Sequence, residues 1–77
     1  MRERPMKLAS KLKTIRQRLG LSQTEMKERL TFAGHYGRIS EYELGKRQPS
    51  VLTLLLYART AGILLEELVD DELELSN

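Results

Sequence analysis

Three features of these 77 residues point to an all-α fold. Apolar residues recur at spacings of three and four, one face of a helix. Gly20, Gly45 and Gly62 each follow a helix-like segment, where a left-handed glycine is expected just past the helix end. β-Branched residues are sparse and scattered, and no valine- or isoleucine-rich alternating run occurs before the tail.

The first helix is expected over Met6 to Leu19. Leu8, Leu12, Ile15 and Leu19 form its stripe, and Lys7, Lys11, Lys13, Arg16 and Arg18 fill its other faces. The second helix has the clearest start. Ser22 as N-cap and Glu25 three residues later make a capping box, and Leu21 with Met26 makes the hydrophobic staple. It should run from Gln23 to about Leu30, burying Met26 and Leu30. Residues 31–36 form a turn that leads into a third helix from Tyr36 to Leu44, with Ile39 and Tyr42 inward. Lys46-Arg47-Gln48-Pro49 then form a basic loop. Ser50 caps a fourth helix that reaches Ala61, with an inward stripe of Val51, Leu54, Leu55, Ala58 and Ala61. A short fifth helix contains Leu68 and Val69. Beyond it, residues 70–77 switch to period-two alternation, as on a half-covered strand.

Length and composition narrow the functions. One domain of this size has a core worth roughly 3–5 kcal/mol of net stability. With no Cys, disulfides, Cys-ligated zinc and thiol catalysis are excluded, and a single His excludes a His-rich metal site within one chain. No apolar run approaches the roughly 20 residues of a membrane span, and no apolar segment follows the basic N-terminus as in a signal peptide. An enzyme lacks support: there is no nucleophile–base set, and Gly34 and Gly37 lack both P-loop spacing and a preceding strand. No cofactor or metal is expected.

The net charge of +2 conceals a gradient. Residues 1–20 carry seven Arg/Lys against one Glu, +6; residues 21–50 carry five against four, +1; residues 51–77 carry one against six, −5. Such polarity suits a basic face for a polyanion and an acidic end held away from it.

Gly20-Leu21-Ser22-Gln23-x-Glu25-Met26, followed by Ile39-Ser40-Glu41-Tyr42-Glu43-x-Gly45-Lys46-Arg47-x-Pro49-Ser50, resembles the Cro/CI-type (XRE-like) helix-turn-helix family. Leu54-Leu55-x-x-Ala58-x-x-Ala61-Gly62-Ile63 and Glu66-Glu67-Leu68 extend the resemblance over residues 8 to about 69. It implies a five-helix, lambda-repressor-like DNA-binding domain over residues 1–69, with a short extended acidic tail at 70–77. Two departures stand out. The segment between Leu30 and Ile39 is longer than the usual family turn. Leu64 also replaces the polar residue that usually caps the last helix, so that helix start is weaker or serves a contact.

The resemblance implies roles residue by residue. The third helix would enter the major groove, with Tyr36, Gly37, Arg38 and Glu41 facing base edges. Arg38 can fork onto guanine, and Glu41 can accept from a cytosine amino group. The same two residues, spaced i, i+3, can instead pair with each other. Gln23, His35, Ser40, Lys46 and Arg47 would contact phosphates, which fix register without reading sequence. Gln23 can alternatively serve as a second capping group, and His35 as a surface residue. Glu43 follows the family pattern of a structural carboxylate. Leu52, Leu56, Leu64, Leu73 and Leu75 form an apolar excess expected to make a homodimer interface. The two-fold would set paired third helices about 34 Å apart on a palindromic site of double-stranded DNA. The function implied is a sequence-specific regulator, most readily a repressor, in a bacterial or phage-like cytoplasm. The alternative is an antitoxin-like module that covers a protein partner such as a toxin and regulates its own operon.

Overall fold

The computed structural model describes residues 7–32, 34 and 38–75. Five helices follow in order: α1 Leu8–Arg18, α2 Gln23–Phe32, α3 Ile39–Glu43, α4 Val51–Ala61 and α5 Leu65–Val69. No strand occurs among the described residues. Local chemistry explains most of the boundaries. Gly20, Gly45 and Gly62 lie at φ +73°, +76° and +71°, a region costly for any other residue. Each closes a Schellman turn. The amides of Leu21, Lys46 and Ile63 donate to the carbonyls of Arg16, Glu41 and Ala58 at 3.1, 2.9 and 2.9 Å. Ser50 caps α4 by accepting from the Thr53 amide.

The core joins Leu8, Leu12 and Ile15 of α1, Met26 and Leu30 of α2, and Ile39 and Tyr42 of α3. It continues through Leu54, Tyr57 and Ala58 of α4 to Leu68 of α5. Helix α1 packs against α3, α4 and α5, and α2 packs against α3. The expected inward stripe of α4 is corrected at its start. Val51 is exposed, Leu55 and Ala61 are half-buried, and the inner face is Thr53, Leu54, Tyr57 and Ala58. Helix α4 is apolar around most of its circumference, so periodicity alone did not choose a face. The large area of Tyr57, fully buried, decides it.

Two of the basic residues on the other faces of α1 are structural. Lys11 is buried, and its Nζ donates to the carbonyls of Glu67, Asp70 and Leu73 at 2.6, 2.9 and 2.8 Å. All three ammonium donors are thereby satisfied, which is what lets a lysine be buried. The ammonium also sits at the C-terminal end of α5, where a cation is favoured. Arg16 is the other case and is described with the site below.

Within the chain the tail turns and docks against α1. The Asp70 side chain accepts from the Glu72 amide at 2.9 Å, and the Asp70 carbonyl accepts from the Leu73 amide at 3.1 Å, so the chain turns. The turn presents the Asp70 and Leu73 carbonyls to Lys11. Asp71 accepts from the Lys7 amide at 3.0 Å, giving α1 the N-terminal carboxylate that Lys7 itself cannot supply. Leu75 packs against the core. At α5, Leu64 forms only half a capping box. Its amide donates to the Glu67 carboxylate at 3.1 Å, but its own side chain can accept nothing in return.

Candidate nucleic-acid interface

The site is assembled around the start of α2 and the whole of α3. The capping box forms as the sequence predicts. The Glu25 amide donates to Ser22 Oγ at 3.1 Å, and the Ser22 amide donates to Glu25 Oε1 at 2.8 Å. The backbone and hydroxyl bonds from Ser22 hold the Glu25 carboxyl below its ordinary value. Met26 is fully buried, and Leu21 is half-buried against the core just before α2 begins.

Glu43 sets the angle between the helices. Its side chain is only 3% exposed and accepts from Arg16 Nε at 2.6 Å and Arg16 Nη2 at 3.0 Å. Gln23 Nε2, from the first position of α2, donates to the same carboxylate at 3.1 Å. Arg16 Nη1 also donates to the Leu21 carbonyl at 2.9 Å, pinning the connection between α1 and α2. One carboxylate therefore ties α1, α2 and α3 together through charge-assisted bonds. The bond to Glu43 raises the Arg16 pKa. Gln23, expected to reach a phosphate, is engaged here with a carboxylate in its own chain.

The opposite side of α3 is open. Gln23, Thr24 and Lys27 of α2, with Arg38, Ser40 and Glu41, line a groove of about 490 Å³. Arg38 stands at the N-cap, φ −115° and ψ 85°, so α3 begins at Ile39. The helix expected from Tyr36 is thereby corrected: it cannot pass through a residue with those dihedrals. His35, Tyr36 and Gly37 lie outside the described residues. Glu41 accepts from Arg47 Nε at 3.0 Å and pairs with Arg38 Nη1 at 3.4 Å. First the hydrogen bond from Arg47 and then that from Arg38 hold the Glu41 carboxyl below its ordinary value. Lys46 and Arg47 are exposed in the turn that follows α3.

Four of the residues singled out from sequence, Gln23, Arg38, Ser40 and Glu41, thus surround one groove, and Arg47 joins it through Glu41. Thr24 and Lys27 were missed. Lys27 stands four residues after Gln23 on the same helical face, a signal that was readable. Of the five leucines assigned to an interface, Leu52 and Leu64 are each 64% exposed, and Leu73 is also exposed. Leu56 and Leu75 are half-buried against their own core. Phe32, 95% exposed at the end of α2, and Leu44 were not foreseen as exposed.

A helix-turn-helix family model matches residues 12–68. The chain belongs to the Cro/CI-type helix-turn-helix family. This is a family of DNA-binding transcription regulators. A search of curated proteins and another of solved structures find no match. The match spans both α2 and α3, the helices whose residues line the groove. Among the described residues, no helix is long and apolar enough to cross a membrane.

Proposed function

We propose that this helix-turn-helix domain is a sequence-specific repressor that binds a palindromic operator as a homodimer in the cytoplasm. The open groove between α2 and α3, carrying Lys27 and Arg38 beside Ser40 and Glu41, supports the reading most strongly. In the docked state Arg38 reads guanine, Glu41 accepts from a cytosine amino group, and Tyr36 and Gly37 contact base edges. Gln23, His35, Ser40, Lys46 and Arg47 hold the backbone, with the start of α2 favouring a phosphate. For Gln23 this requires sharing its amide between Glu43 and the DNA.

The dimer is proposed through Leu52 and Leu64, the most exposed leucines of the set assigned from sequence. Leu73 is also exposed, and Leu56 and Leu75 are half-buried against the core of their own chain. Exposed leucines also favour the second reading, an antitoxin-like module covering a protein partner such as a toxin. One experiment separates the two. Sedimentation of the wild type and of a Leu52→Glu/Leu64→Glu variant, alone and with a duplex at several salt concentrations, reads assembly and DNA binding together. The repressor reading expects a wild-type dimer and a log–log salt slope near −0.9 for each phosphate neutralised. It also expects a folded, monomeric variant that binds weakly. A monomer with no salt-dependent DNA binding overturns it in favour of the partner-covering module.

A further inference from the structure

Glu41 is out of place on a surface built for a polyanion. It stands on the open side of α3, in a groove lined by Lys27 and Arg38, and its carboxylate engages two of the proposed DNA-binding arginines. Neither partner is needed to hold the fold. Arg38 and Arg47 are largely exposed, and α3 is fixed from its other side by Glu43 and Arg16. The Glu41 backbone carbonyl, not its side chain, closes the turn at Gly45 by accepting from the Lys46 and Arg47 amides.

We propose that Glu41 is a specificity-determining residue that acts as an internal competitor of the DNA backbone: it occupies Arg38 and Arg47 in the free protein and surrenders them only where a base offers its carboxylate a donor. This inference rests on the DNA-binding reading above. On a random duplex, moving the two arginines to phosphates leaves a carboxylate facing a row of negative charges with no partner. That arrangement is repulsive, and the repulsion is undiminished wherever no amino group points into the groove. On a site with a cytosine amino group at the right step, the carboxylate exchanges two guanidinium partners for a base donor. The arginines are then free for guanine and phosphate. Glu41 thus lowers affinity for every duplex but lowers it least for the right one, which is how a repulsive element creates specificity.

The test compares wild type and Glu41→Gln on a selected site and on a random duplex, with thermal unfolding to confirm that both are folded. The variant should bind random DNA about tenfold more tightly, with a steeper salt slope as arginines gain phosphates. Its ratio of selected-site to random affinity should fall by a similar factor. In an Arg47→Ala background the same substitution should raise random affinity much less, because one of the two captive cations is gone. An unchanged affinity ratio overturns the inference, as does an effect of full size in the Arg47→Ala background. A wild type that binds no duplex overturns the DNA-binding reading itself, and that result is visible before any variant is compared.

Discussion

Glu41 and Glu43 stand two residues apart on the same five-residue helix and face opposite ways. Glu43 points inward and is almost wholly buried, holding Arg16 and Gln23. Glu41 points outward, and a third of its side-chain surface remains in water beside Arg38 and Arg47. Both are carboxylates paired with arginine, so composition does not separate them. Environment does. A buried pair cannot lose one partner without stranding a charge, whereas an exposed pair can exchange its partner for water or a ligand at little cost. The inner face of α3 is therefore structural, and the outer face is where partners can change.

The largest effect expected from this contrast is at Glu43. Glu43→Ala should cost about 3 kcal/mol by leaving Arg16 uncompensated. That is comparable with the roughly 3–5 kcal/mol a domain of this size holds in total. Circular dichroism in urea should find the variant largely unfolded, and Arg16→Met/Glu43→Leu should recover most of the loss. A Glu43→Ala protein as stable as the wild type would erase the distinction between the two faces.

Lys11 offers a second, smaller test of the interior. Lys11→Met keeps the apolar stem and removes the donors to three carbonyls, at a cost of about 1–3 kcal/mol. Hydrogen exchange should quicken first at the amides of residues 70–75, where the tail docks. Exchange that quickens uniformly across all five helices would show that the tail is not a separate latch.

How much of this was readable depended on range. The Ser22–Glu25 box and the three helix-ending glycines involve residues within one turn of each other, and sequence spacing captured them. The clamps of Lys11 and Arg16 join residues far apart in sequence, and nothing in the local pattern of α1 distinguishes them from Lys13 or Arg18. The face of α4 was misread at Val51 because its leucines surround the helix, leaving Tyr57 to decide. The start of α3 lies later than the family spacing implies, because Arg38, inside the expected span, has an N-cap's backbone. Four groove residues were legible, since the family spacing on both sides of the turn located them.

The smallest expected effect on stability lies on the outer face, where it is read as a pH shift. Glu41 and Glu25 should both titrate below the ordinary carboxylate value of 4.5 in the folded protein. A carboxylate with a lowered folded pKa stabilises above the unfolded value, and that contribution is lost as pH falls through the folded one. Both contributions should therefore disappear only in acid below the ordinary carboxylate range. Arg47→Ala should move Glu41 back toward 4.5 and leave Glu25 where it is, as followed by carboxyl-carbon NMR. A Glu41 titration indifferent to Arg47 would remove the pairing from solution.

Selection of bound sites from random duplexes, run in parallel on the wild type and on Arg38→Ala, tests the outer face of α3 most directly as a reader of sequence. A palindromic motif is expected for the wild type, with one position in each half-site relaxed in the variant, a loss of about 1–3 kcal/mol of discrimination there. Enrichment of no motif by the wild type, or of the same motif by both proteins, would contradict it.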